Sequence, residues 1–453
     1  MNSLRLRALI VGLAAACAIG VPALRGQPAA GQLASGLAKE DSLGRLADEV
    51  AREVEQLRGW TFKRRVDKMH TSLPEARSDL ERSIRRELPP DRLAMKQAFL
   101  RTAGLIPSDC DLVAAQLDVL EQQVAGYYDT DSHVLHLVDR PGTTPAFVDR
   151  MILSHELTHA LDDQYLDITS LTHRVPQTED SAFVVTALVE GSATALMLQD
   201  MTVAQKSGRL DLADLGPYLQ QELARARKLE QLPRYFSAMF GSYIVGAAFL
   251  AKGDLSTVFS MPDDRPIGEN LLAAAKAPPR SGEQVLHPEK YWNAQRPDEP
   301  ILIDDRAIER WLAHDGRWIV HRDTLGEMLT AVFTEPHEAP KDMAKFQSAA
   351  AWTNPGAIGW GGDRFYLLAS GATQEEAAHR LADLQGVWIT VWDSAKEREE
   401  FLRAIEKGTP PPRSQTAAVG RTMAVVFIGF EDGERQVLLS RLRELPLPVI
   451  GSR

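Results

Sequence analysis

Two stretches carry apolar residues at a spacing that fixes their structure. Phe147, Val148, Met151, Ile152, Leu157, Ala160 and Leu161 recur with helical period behind Thr144-Pro145, an N-cap followed by proline at the first helical position. In Asp180–Met201, apolar positions from Phe183 to Met197 cover nearly the whole circumference of a helix, so that helix is buried. Ahead of both, residues 37–122 read as helical: Ser42–Leu57, Pro74–Glu87, Arg92–Thr102 and Cys110–Gln123, with charge runs as solvated faces. Val124–Tyr128 and His133–Val138 flank Asp129–Ser132 and predict a hairpin. Helical texture returns over 202–276, broken at Pro217, Pro233 and Gly253, and Pro278–Tyr291 follows as a loop dense in turn residues. Past residue 300 the texture changes. Arg364–Ala369, Val387–Trp392 and Thr422–Phe427 read as strands, and Thr373–Leu384, Ser394–Glu406 and Glu434–Arg443 as helices. Glycine-rich Gly356–Gly362 is read as a tight turn leading into a strand, not as a phosphate cradle. The predicted fold class is α+β: an N-terminal helical region over 37–122, a mainly helical domain with a small sheet over 123–300, and a C-terminal α/β domain over 301–453.

Charge and cysteine content narrow the class of protein. A net charge of −11 argues against a nucleic-acid partner. Arg5 and Arg7, the apolar run Ala8–Ile19 and small residues around Pro22–Gly26 predict that residues 1–26 are a secretory signal. Cys17 after three alanines leaves a lipid-attachment box open, and an uncleaved anchor helix is a third alternative. Each puts the rest of the chain outside the cytoplasm. No second run is read as long and apolar enough for a membrane span, so membrane attachment is expected through the N-terminus alone. Cys110 is the one cysteine left after cleavage, so stability must come from core burial.

The chemistry lies in Met151–Asp163, M-I-L-S-H-E-L-T-H-A-L-D-D. His155 and His159, four apart, stand on one helix face and can hold one metal ion. Glu156 points beside that ion, where it can take a proton from water. The bland alternative is a pair of core histidines bonded to backbone. Glu190 sits mid-way in the buried helix, in A-L-V-E-G-S-A-T-A, where a lone carboxylate is costly. Two histidines and a carboxylate make a catalytic zinc site, so Glu190 is the candidate third ligand, and pairing with a buried arginine or a helix end is its alternative. Asp163, one turn below His159, is the candidate to orient that histidine. In the Pro278–Tyr291 loop, His287 and Tyr291 are candidate donors to a tetrahedral oxyanion, against a purely anchoring role. The hairpin before the metal helix either pairs an extended peptide or is simply structural.

H-E-L-T-H with a glutamate on a downstream helix resembles the gluzincin class of zinc metallopeptidases. Together with V-A-G-Y-Y-D, A-L-V-E-G-S-A-T, P-P-R-S-G-E-Q-V-L-H-P-E-K-Y and G-W-G-G-D-R-F, the chain resembles a family of exported bacterial proteins of metallopeptidase type, from about residue 60 to the C-terminus. The resemblance implies a zincin-like catalytic domain over 123–300, with Zn2+ on His155, His159 and Glu190 and Glu156 as general base. It departs at Thr194, where the best-known gluzincins carry an aspartate. The expected activity is zinc-dependent hydrolysis of a peptide or protein substrate. The competing expectation is a zinc-stabilised binding or envelope-assembly protein without turnover.

Overall fold

The structure is a computed structural model that describes residues 36–123, 126–139, 146–209, 233–295, 297–312, 316–335, 352–408, 414–444 and 449–450. The signal segment 1–26, the Thr144-Pro145 cap, Val124 and Pro217 lie outside the described residues.

The fold is mixed α+β, as expected. The chain opens with α1 (Gly36–Arg58), strand β1 (Asp67–Ser72), α2 (Leu73–Glu87), α3 (Pro90–Thr102) and α4 (Leu112–Gln123). Ser72 starts α2 with a capping box: its hydroxyl takes the Glu75 N–H while the Glu75 carboxylate takes the Ser72 N–H. β1 corrects the all-helical reading of 37–122. Its residues are half-buried or exposed except Thr71, and all but Met69 are polar, so D-K-M-H-T-S carries no alternating apolar signature. The expected hairpin forms as β2 (Gly126–Asp129) and β3 (Val134–Asp139), and β3 also pairs in parallel with β1 in a sheet ordered β1-β3-β2.

α5 (Ala146–Leu166) and the short α6 (Ile168–His173) lead to α7 (Glu179–Lys206), which Thr178 caps. α7 is buried from Glu179 through Met201, apart from half-buried Ala182. It is long and apolar enough to cross a membrane, contrary to expectation, but 94% of its apolar window is buried inside the protein. That composition is the signature of a core helix. α8 (Arg234–Leu250), following Pro233, packs along α7. A Cβ on Gly191 would lie 2.2 Å from the Gly246 carbonyl carbon, and one on Gly246 would lie 1.8 Å from the Ala187 oxygen. The two helices therefore meet backbone to backbone, which only glycine at both positions allows.

α9 (Arg265–Lys276), α10 (Gly282–Leu286) and α11 (Glu289–Trp292) follow. Pro278–Tyr291 is thus not a surface loop: Ser281 caps α10, and all five residues of α10 are buried.

The remainder comprises β4 (Leu302–Ile303), α12 (Asp305–Leu312), β5 (Arg317–Asp323), α13 (Gly326–Thr334), β6 (Trp360–Ser370), α14 (Gln374–Arg380), β7 (Ala382–Trp392), α15 (Ala395–Lys407), β8 (Ser414–Val419), β9 (Met423–Ile428), α16 (Asp432–Glu444) and β10 (Val449–Ile450). Its antiparallel sheet is ordered β5-β6-β7-β9-β8. The three expected strands are β6, β7 and β9; β5 and β8 were not legible. Residue 300 is no break in the core. Phe365, Trp388 and Trp392 from one sheet face join the core that contains α7 and α8, while Tyr366, Val387 and Phe427 pack on the other face with α12 and α16.

Candidate metal centre

α5 and α7 cross so that His155, His159 and Glu190 converge. One ligand atom from each lies within 4.8 Å of the others, and all three residues are buried. His155 Nε2 is 3.2 Å from Glu190 Oε2. His159 Nε2 is 3.4 Å from the same oxygen but is not aligned as a hydrogen bond. A tetrahedron with zinc–ligand bonds of about 2.0–2.1 Å has edges of about 3.3–3.4 Å, so these separations suit a shared ion. The donor set fits zinc as well: two imidazoles, one carboxylate, and a fourth side for water.

Burial disfavours charge on Glu190, yet the nearby His159 charge and the hydrogen bond with His155 outweigh it and hold its carboxyl below the usual range. Burial drives His155 down and keeps it neutral, as a ligand must be. His159 is pushed the other way. Burial opposes its charge, but Glu190, Glu156 and Asp162 around it win. The carboxyls of Glu190, Glu156 and Asp162 thus crowd His159 and favour positive charge at this point.

Glu156 stands beside the triad. Its Oε2 accepts the Tyr128 backbone N–H at 2.9 Å, and its Oε1 has no hydrogen-bond partner among the described residues. Burial pushes its carboxyl up to about 8, and Glu190 adds to this while His159 and the Tyr128 N–H oppose it. The hairpin therefore positions the base. Its Tyr128 N–H is committed to Glu156 rather than offered to a peptide.

The other sequence candidates lie elsewhere. Asp163 does not orient His159: it accepts the Tyr128 hydroxyl at 2.9 Å and the Ile168 N–H at 3.2 Å, and it lies 3.2 Å from His133 Nδ1. His133 itself sits in the hairpin turn with a left-handed backbone, φ 58°, rather than in a strand, whereas His136 is a buried strand residue. Thr194 Oγ1 and the Nδ1 atoms of His155 and His159 have no partner among the described residues, so no side chain takes the part of the gluzincin aspartate. His287 is not brought to the triad's ligand cluster. Its Nε2 lies 3.0 Å from Glu327 Oε1, and although burial opposes its charge, that bond and the Glu327 charge raise its pKa. Tyr291 donates its hydroxyl to the Ala277 carbonyl at 2.7 Å and packs on Phe249 and Trp292, the anchoring alternative.

Three residues were missed. Tyr243 of α8 lays its ring on His155, with centroids 5.8 Å apart. Tyr128 contributes its N–H. Arg58, the last residue of α1, is fully buried, because its guanidinium donates to Ser192 Oγ at 2.8 Å and lies 3.4 Å from Asp162 and 3.2 Å from Asp264. Ser192 in turn donates to Asp162 at 2.6 Å. The buried arginine exists, but it pairs with these aspartates and not with Glu190. A second acidic group, Glu283, Asp298 and Asp393, already surrounds a cation: Lys290 Nζ lies 2.7, 2.5 and 3.4 Å from their oxygens.

Comparison with known families gives one match: residues 317–434 fit a family model described as a domain of unknown function, DUF8575. That span runs from β5 to the start of α16 and leaves the triad outside it. No curated protein and no solved structure matches the chain.

Proposed function

We propose that the protein is a zinc-dependent metallopeptidase with Glu156 as general base. The observation that carries this reading is the convergence of His155, His159 and Glu190 on one buried point, with an uncommitted carboxylate oxygen of Glu156 on the same helix. Bound there, zinc supplies the Lewis acidity that lowers the pKa of water and polarises a peptide carbonyl. Tyr128 fixes one oxygen of Glu156, and the other takes the proton of the attacking water and returns it to the leaving amine. Tyr243 and Gly246 hold the α8 side of the triad in place. The resemblance at sequence level supports the same class. An exported location belongs to this reading on the strength of residues 1–26, and N-terminal mass spectrometry of the native protein checks it: an intact Met1 would exclude cleavage.

One observation favours the alternative of a zinc-stabilised binding protein, namely that all three candidate ligands are at most 1% exposed. A single substitution separates the two. Glu156→Gln should keep about one zinc per chain by elemental analysis and fold normally, yet cleave unfolded casein roughly a hundredfold more slowly. Wild type and Glu156→Gln equally inert on every peptide, with zinc bound, would leave the binding protein.

A further inference from the structure

The first turn of α7 is held from outside by the 317–434 unit. Asp323, the last residue of β5, accepts the Glu179 N–H at 2.8 Å, and the Thr324 carbonyl accepts the Asp180 N–H at 3.0 Å. Two of the N–H groups that a helix start leaves open are satisfied in this way. Asp180 itself is buried between two glycines. A Cβ on Gly282 of α10 would lie 2.5 Å from its Oδ1, and one on Gly326, φ 73°, would lie 1.9 Å from it. Gly282 donates its N–H to the same oxygen at 2.8 Å.

Three more buried carboxyls face Asp180. Asp363 of β6 accepts the Leu325 and Gly326 N–H groups at 2.9 and 2.8 Å and the Trp360 ring N–H at 2.9 Å. Glu327 of α13 bonds His287 at 3.0 Å and accepts the Thr353 hydroxyl, while its Oε2 is buried with no partner among the described residues. Asp323 has its Oδ2 3.1 Å from His321 Nε2. The cations nearby serve other groups: Lys96 pairs with Glu179, Lys290 with Glu283, Asp298 and Asp393, and Arg364 with Asp305. Among the described residues, no lysine or arginine pairs with Asp180, Asp323, Asp363 or Glu327. Burial lifts the Asp180 carboxyl to about 8, with Asp363, Glu327 and Asp323 adding to it and the Gly282 N–H opposing. Burial lifts Asp363 only to about 6, because its N–H donors favour the anion.

We propose that this junction is a proton-dependent clamp: the 317–434 unit grips the first turn of α7 while Asp180 carries a proton, and the grip weakens as that proton is withdrawn. An ionised Asp180 would meet Asp363, Glu327 and Asp323 with no lysine or arginine to answer its charge, and the two glycine contacts leave it no room to turn away. Once the junction opens, the same carboxyl is in water and takes its ordinary value of 3.8. The closed state therefore holds a proton that the open state has released. Its advantage is full below about pH 4 and is lost as pH rises through about 8. Glu190 lies about three turns further along α7, so the clamp fixes one end of the helix that presents the third candidate ligand. That consequence rests on the metal-centre reading; the clamp and its test do not.

Hydrogen exchange at the Glu179 and Asp180 amides, corrected for the intrinsic effect of pH on exchange, reads the opening in the full chain with zinc in excess. Wild-type protection there should fall by up to about tenfold per pH unit between about pH 6 and 8 and level off above that. Asp180→Asn keeps an oxygen for the Gly282 N–H and carries no charge, so it should lose that tenfold step per pH unit. Asp323→Asn, which removes one facing charge and leaves Asp180 in place, should move the levelling point to lower pH. Wild-type protection that does not change between pH 6 and 8 overturns the proposal without any variant. An equal slope in folded Asp180→Asn, or an unmoved levelling point in folded Asp323→Asn, overturns it as well.

Discussion

Two buried ionic clusters share the α5–α7 pair about one turn apart, and they solve the same problem in opposite ways. One is His155, Glu156, His159 and Glu190; the other is Arg58, Asp162, Ser192 and Asp264. In the second, a guanidinium from α1 reaches both aspartates and the serine, so its cation is covalently part of the chain. In the first, no lysine or arginine is paired with Glu156 or Glu190 among the described residues, and the positive charge that the carboxylates favour falls on His159. A buried carboxylate needs a partner, and an arginine would serve structure alone at either place. A pair of imidazoles instead leaves the partner exchangeable. The difference teaches that burial of charge does not by itself mark function; what marks it is a buried anionic site whose counter-charge can come and go.

The sharpest way to break this contrast is Glu190→Ala. Zinc affinity should fall by orders of magnitude, measured by competition with a chelating dye. The stabilisation that zinc gives the wild type, about 4 kcal/mol at a thousandfold excess over Kd, should vanish. Full zinc content in that variant would mean Glu190 is no ligand. Next, Arg58→Met removes the built-in cation. Leaving Asp162 and Asp264 buried and unpaired should cost about 3–5 kcal/mol in urea unfolding, and added zinc should not restore the loss. Recovery by zinc would show that the clusters are one unit.

The smallest effect is in pH. Burial, aided by Asp162 and opposed by Arg58, raises the Asp264 carboxyl to about 7 from 3.8. The folded state then holds a proton that the unfolded state has released, so this group's contribution is full below about pH 4 and is lost as pH rises through about 7. Asp264→Asn should flatten that part of the stability–pH curve in zinc-free protein. An unchanged slope between pH 4 and 7 would assign the titration to other carboxyls.

The triad was legible because each part leaves a periodic mark. His155 and His159 fall four apart on a helix with apolar residues at helical spacing, and Glu190 interrupts a helix that is apolar all round. Arg58 was not, since one charge at the end of a charge-rich helix looks like the solvated ones, and its burial comes from Asp162, Ser192 and Asp264, more than a hundred residues away. The Glu327 partner of His287 was hidden for the same reason: nothing beside His287 in the chain announces it. β1 and β8 were hidden by their half-exposed side chains, whereas β6 and β7, buried along most of their length, read clearly. Asp163 had the right spacing to serve His159, but spacing does not say that Tyr128 and Ile168 claim it first.

The glycine contact between α7 and α8 also sets an order of assembly. All three candidate ligands have been synthesised by residue 190, and α7 is complete at Lys206, yet the backbone that packs on Gly191, next to Glu190 in the chain, is that of Gly246, and the ring beside His155 is Tyr243. A growing chain therefore owns every ligand some fifty residues before it can hold them still. Metal capture by that chain would be loose and exchangeable, and selectivity for one ion would arrive only when α8 docks.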